Sequence, residues 1–164
     1  MPQPRPATPF HVQIQPIVVV KDAPRAIAFY EAAFGATESW RLMHYHRVGH
    51  CVMHVGSSEF ALLEEFPEAG IVGPQTEPPS GSHPRLTLQV DDVDVVFARC
   101  VANGATALRE PSDLWWGVRS CQIVDPFGHR WGIMSKIEDL SPAAMQARAD
   151  EMGLYPPPEP SKPD

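Results

Sequence analysis

Two stretches of this sequence, KDAPRAIAFYEAAFGAT and DDVDVVFARCVANGAT, lie over one another with Asp22 on Asp91 and Gly35-Ala36-Thr37 on Gly104-Ala105-Thr106. A chain that repeats a unit of this length must build one supersecondary structure twice and then pack the copies. Each copy begins with a β-prone run, residues 15–20 and 86–90, passes into a helix and leaves it through a glycine. In the second helix Val93, Val96, Phe97, Cys100 and Val101 fall at helical spacings on one face, and such a face has to pack on a sheet. Asp92 is placed to cap this helix, and Gly104, after Asn103, suits the left-handed conformation that ends one. The first helix repeats the pattern with Ile27, Tyr30 and Phe34, Pro24 in its first turn and Gly35 at its end.

After each helix the chain changes to short β-prone runs separated by turn residues. In the first half these are residues 38–47, 51–55 and 59–65, broken by Val48-Gly49-His50 and Gly56-Ser57-Ser58. In the second half they are residues 105–109, 118–124 and 130–136, with Asp125-Pro126-Phe127-Gly128 as the last turn. Ser141-Pro142 then opens a C-terminal helix, with a capping hydroxyl and a first-turn proline, ending near Gly153. This helix is expected to cover a sheet edge or a partner subunit. The organisation is one domain over residues 14–138, with halves 14–66 and 84–138 joined by a Pro-, Gly-, Ser- and Thr-containing loop at 67–83, followed by the helix at 139–153.

Composition limits the partners. The chain has 164 residues, 43% of them hydrophobic, enough for one core and not for two domains. Nineteen prolines gather largely in the terminal segments 1–13 and 154–164, which read as disordered tails, and around the central loop. No apolar run reaches the roughly 18 residues of a membrane span, and the N-terminus lacks a signal-peptide layout, so a cytoplasmic protein is expected. Cys51, Cys100 and Cys121 are an odd set without a CxxC pair, which fits reduced thiols. A formal charge of -7 without a basic cluster argues against nucleic acid and, if it does more than keep the protein soluble, favours neutral or cationic partners.

The stretches VVVKDAPRAIAFYEAAFGAT, LLEEFPE, LQVDDVDVVFARCVANGAT and WWGVRSCQIVDPFGHRWGI, with the trailing EDLSPAAM, resemble the glyoxalase, bleomycin-resistance and ring-cleaving dioxygenase (vicinal oxygen chelate) superfamily, in particular its PhnB-like branch. The resemblance runs from about Gln15 to Met152. It implies an α+β fold of two β-α-β-β-β modules forming a half-open barrel around a central cavity, with a C-terminal helix and a homodimeric assembly. It does not imply one activity, since fold and function separate widely among such proteins.

Enzymes of the resembled superfamily hold a divalent metal with one side chain from the first and one from the last strand of each half, and the metal polarises the substrate's vicinal oxygens. Carried onto this sequence, the first position is Gln15, seven residues before Asp22. The matching position before Asp92 is Arg85, a permanent cation, with Pro84 or His83 reached by a slip of one or two residues. The final glutamate falls on Gly132, and Glu64 or Glu65 is left for the first half. A catalytic site needs about three protein ligands and an open position, which this set does not reach. Separately, His44 and His46 alternate onto one strand face at a spacing that can bind metal, with His50 and His54 nearby.

Without a metal, such a cavity is a small-molecule site of apolar walls and a few oriented polar groups. Trp115 and Trp116, ahead of Gly117 and Arg119, offer flat surface for a planar or cationic ligand, or alternatively seal the barrel end and pack on a partner. Arg85 would orient a carboxylate or phosphate, or pair with Glu64. Trp131 alternates with Gly132 and belongs under the helices, and His129 is a hydrogen-bonding residue of the turn. No nucleophile elbow and no phosphate loop is present, so nothing here requires catalysis. The leading expectation is a metal-independent, cofactor-free binding protein of the bleomycin-resistance type for an aromatic, antibiotic-like molecule, cationic in one version, held by Trp115, Trp116, Arg119, Arg85, Gln15 and Glu64. The rival is a metal-dependent lyase or dioxygenase with the altered ligands Gln15, Glu64 and His83. A third reading is an accessory domain whose cavity its own side chains fill.

Overall fold

A computed structural model describes residues 14–74 and 85–154. The terminal segments 1–13 and 155–164 and most of the expected loop, with His83 and Pro84, lie outside the described residues. The first half is β1 (Ile17–Val20), α1 (Ala23–Phe34), β2 (Thr37–His44), β3 (Arg47–Val55) and β4 (Ser58–Glu64). The second is β5 (Arg85–Gln89), α2 (Val93–Ala102), β6 (Thr106–Leu114), β7 (Val118–Val124) and β8 (Arg130–Lys136), followed by α3 (Pro142–Glu151). The two sheets share one plan, β1-β4-β3-β2 and β5-β8-β7-β6, with β1 parallel to β4 and β5 parallel to β8. This is the expected pair of β-α-β-β-β modules, but the two sheets do not close into a barrel.

The helix signals act as the sequence indicates. Asp92 accepts a hydrogen bond from Val95 N at 3.0 Å and Ser141 caps α3 through Ala144 N at 3.2 Å; Asp22, not assigned as a cap from the sequence, caps α1 in the same way through Arg25 N at 3.0 Å. Gly35 ends α1 at φ +68°, a conformation that costs a side-chain-bearing residue strain. α1 and α2 cover one face of the sheets, burying Ile27, Tyr30, Phe34, Val93, Val96 and Cys100 against Leu62, Met53, Ile123 and Ile133. Val101, expected on the packed face of α2, is 44% exposed at the edge of that stripe. Burial pushes the thiols up, Cys51 and Cys121 to about 11 and Cys100 to about 12, so they are inert core groups.

Two strands run further than expected. Val48-Gly49-His50 is not a turn: the chain reverses at Tyr45-His46, and Gly49 is the extra residue of a β-bulge, since Leu42 pairs with His50 and Met43 with Val48. A Cβ on Gly49 would stand 3.3 Å from the His44 Cβ, so the glycine permits the close approach of β2. β6 continues past Arg109 to Leu114 because Pro111 sits where the register shifts, at an edge strand that loses no ladder hydrogen bond to it. The expected loop 67–83 opens with a 3-10 turn at Pro67–Ala69 and a bridge from Phe66 to Ile71. No helix among the described residues is long and apolar enough to cross a membrane.

The halves are joined through the Asp125 turn. Asp125 is 3% exposed, and one carboxylate oxygen accepts from the Tyr30 hydroxyl at 2.7 Å and from Trp131 Nε1 at 2.9 Å. The other accepts the backbone N–H groups of Phe127 and His129, both at 2.9 Å. His129 Nε2 lies 2.9 Å from the Val19 carbonyl, which only accepts, so this nitrogen carries the proton. Burial, then the adjacent Asp125, raises the Tyr30 phenol well above its usual range, keeping it a donor. His129 and Trp131 therefore hold the structural places assigned to them.

Candidate functional site

Strand alternation gives each sheet one face under the helices and one open face. On the first sheet the register places Ile17, Ala61, Val52 and Trp40 in a row across the open face. On the second sheet the corresponding row is Thr87, Gly132, Gln122 and Arg109. The rows correspond because β2 and β6 both carry an irregularity just before Trp40 and Arg109. One step along, Gln15 sits beside Glu59, and Arg85 pairs with Arg130. Duplication has thus produced two equivalent surfaces with opposite chemistry. The first is apolar and aromatic, with Trp40 stacked on His50 at 5.1 Å between ring centroids. The second is polar and cationic.

These rows also locate the four positions from which the resembled enzymes would hold a metal. Gln15 and Arg85 begin the two rows, and Gly132, opposite Thr87, is matched in the first half by Ala61, opposite Ile17. Glu64 is not the first-half equivalent. It has the parity of Leu62, on the helix side, and accepts from Ala23 N at 3.5 Å and from Val48 N. The reason is the position of β4, which begins at Ser58, so its acid end reaches the N-terminus of α1 rather than the open face. Gln15 donates to Glu59 Oε1 at 2.9 Å. Of the four positions, then, one is an amide engaged by a neighbouring carboxylate, two have no donor atom and one is a cation. This set does not fit a divalent metal.

The histidines do not form a substitute. His46 is in the β2–β3 turn, His44 packs against the Tyr45 and Phe66 rings, and His50 lies on Trp40. The described residues contain no group of three or more His, Cys, Asp and Glu arranged to hold a metal.

The tryptophan pair lies elsewhere. Trp115, Trp116 and Gly117 form the β6–β7 turn. Trp116 lines a cleft of about 640 Å³ with Gln89, Met134, Glu138, Leu140 and Met145, beneath the segment leading into α3. The Trp115 carbonyl accepts from Arg148 Nη1 at 3.1 Å, and Arg148 also grips Glu138 at 2.8 and 2.7 Å, which ties α3 to this turn. Arg119 faces the helix side, where it bonds Asp94 at 2.6 and 2.8 Å and Asp113 at 2.8 Å. Those hydrogen bonds, Asp94 first, raise its guanidinium further and hold Asp94 below the usual carboxylate range. The structure therefore separates the sequence candidates: Gln15 and Arg85 on open faces, Trp116 in the end cleft, Trp115 and Arg119 in structural contacts, Glu64 behind the sheet. Trp40, Gln122, Arg109 and Arg130 escaped sequence reasoning. The repeat carried the signal for them, but only once both strand irregularities are placed.

A duplicated α+β module with open, unclosed sheet faces defines a class of small pocket-forming proteins. The family model of the Glyoxalase/Bleomycin resistance protein/Dioxygenase superfamily matches residues 9–133, and the chain belongs to that superfamily. An uncharacterized protein of Mycobacterium bovis is 30% identical over 144 residues, covering 85% of this chain and 93% of its own. Among solved structures, a glyoxalase family protein from Bacillus cereus superposes with a TM-score of 0.66 at 19% identity, over 82% of this chain and 100% of that one. TioX from Micromonospora sp. ML1 gives 0.58 at 22% identity, over 79% and 100%.

Proposed function

We propose that this protein, of the PhnB-like branch, is a metal-independent binding protein for an aromatic, antibiotic-like small molecule, held between the open faces of a homodimer. The observation that carries the reading is the set Gln15, Ala61, Arg85 and Gly132 at the superfamily's metal positions, beside the apolar row Ile17, Ala61, Val52 and Trp40, whose ends, Ile17 and Trp40, are 56% and 51% exposed on either side of a buried centre. A flat ligand gains contact area on such a row without any coordinating ion. Calorimetric titration of chelator-treated protein with planar glycopeptide and peptide antibiotics tests this. Saturable heat from at least one, unchanged by added transition metal, is the expected result. Binding that appears only with metal, or no heat with any of them, would overturn it.

A further inference from the structure

We infer that Arg85 and Arg130, with Arg109 across the sheet, form an oxyanion site on the open face of the second sheet, so that the ligand bears a carboxylate or a phosphate. The inference rests on the binding reading above and deepens it. Arg85 and Arg130 are register partners on neighbouring strands, whose axes lie about 4.8 Å apart. Like charges at directly opposed positions repel, and sheets usually avoid them or place a carboxylate between them. Here no Asp or Glu occupies a paired position on this face, and none of the three arginines forms an ion pair among the described residues. Arg41, Arg47, Arg119 and Arg148 are each locked to a carboxylate, while Arg25, over the Phe127 ring, and Arg99 on α2 also lack an ion pair among the described residues; what sets Arg85, Arg109 and Arg130 apart is that they share one sheet face.

The surroundings suit an oxyanion. Gly132 lies beside the Arg85 side chain: a Cβ there would meet Arg85 Cδ at 3.8 Å and Nε at 3.9 Å, and Thr87 Oγ1 at 3.5 Å. The missing side chain leaves room next to a guanidinium edge and a hydroxyl. Gln122 pairs with Gly132 on the next strand, and Arg109 beyond it gives one hydrogen bond, to Ser120 Oγ at 3.3 Å, leaving most of its five donors free. Arginine presents its donors as a planar fork that matches two oxygens of one carboxylate or phosphate. The equivalent first-half positions, Gln15, Ile17, Ala61, Val52, Trp40 and Glu59, carry no cation. One face thus suits the flat body of a ligand and the other its charged end.

The test is an NMR titration of the isotope-labelled full chain with benzoate, phenyl phosphate and benzyl alcohol, which share the ring and differ in charge. Anionic probes should bind at least tenfold more tightly than the alcohol and move the Thr87, Gln122 and Gly132 amide signals. Whichever of benzoate and phenyl phosphate binds more tightly identifies the source of the oxyanion. Arg85→Gln and Arg130→Gln should each weaken the anions about tenfold, with Arg99→Gln, on α2, as the unaffected control. Gly132→Glu, whose Cβ meets only ordinary contacts, should pair with Arg85 and abolish the preference for the anions over the alcohol. Equal affinity for all three probes, or unchanged anion affinity in both arginine variants, would overturn the oxyanion site while the binding reading stood. No saturable binding by any probe would overturn both.

Discussion

Asp125 illustrates how much can rest on one side chain. Its two oxygens take four donors from three parts of the chain: the Tyr30 hydroxyl on α1, Trp131 Nε1 on β8 and two backbone N–H groups of its own turn. An amide cannot reproduce this. In Asp125→Asn an NH₂ replaces one oxygen. It then faces either the two backbone donors, orphaning both, or the indole and the phenol, of which only the phenol can rotate to accept. A buried donor left without an acceptor costs about 1–3 kcal/mol, so the substitution should destabilise the fold by about 3 kcal/mol. Urea unfolding followed by tryptophan fluorescence would read this as a lower midpoint at unchanged slope. A change under about 1 kcal/mol would mean that the turn does not join the halves energetically. The sequence marks this residue only as part of a turn, because burial and a partner 95 residues away belong to the folded chain.

At the scale of elements, the β6–β7 turn holds the end of the second sheet and α3 together. Gly117 has φ +82°, and a Cβ on it would stand 2.9 Å from the Glu138 carbonyl oxygen. The Gly117 carbonyl in turn accepts from Ile137 N and Glu138 N, both at 3.0 Å. Gly117→Ala therefore adds left-handed strain to a backbone clash and should cost about 2 kcal/mol. Hydrogen exchange should also quicken across Pro142–Glu151, since α3 buries only Ala149 and depends on this joint. Unchanged exchange in α3 would show that the Arg148 bonds alone suffice. Elements of this kind were legible where local chemistry decides them. The caps Asp92 and Ser141 and the strands Val118–Val124 and Arg130–Lys136 follow from the residues themselves. Gly49 misled because it is a turn former by composition and a bulge residue in place, and only the pairing strand distinguishes these.

For the whole molecule, the repeat carried the fold, and the family resemblance laid over it placed Gln15, Arg85 and Gly132, but the first-half counterpart of Gly132 was expected to be an acid, Glu64 or Glu65, where the strand register puts Ala61. A parity choice on β4 decided that, and a one-residue difference turns every side chain to the other face. The same geometry bears on assembly. Ile17, Trp40 and Leu42 on the open face of the first sheet are 56%, 51% and 61% exposed, an unusual display for a face that carries an aromatic row. A second copy would cover it, setting the apolar face of one chain against the polar, arginine-bearing face of the other. Twofold symmetry then creates the same contact twice, so the cost of desolvating either face is met by two buried rows. On this reading the full chain sediments as a dimer at micromolar concentration. Trp40→Asp, which places a charge in the middle of the row while remaining tolerable on an exposed strand, should raise the dissociation constant at least tenfold without lowering thermal stability of the monomer fold. Sedimentation equilibrium distinguishes the outcomes. A wild-type chain that stays monomeric at about 100 μM, where even a contact worth only about 5.5 kcal/mol would be half formed, would exclude dimer closure and, with it, a ligand held between two subunits.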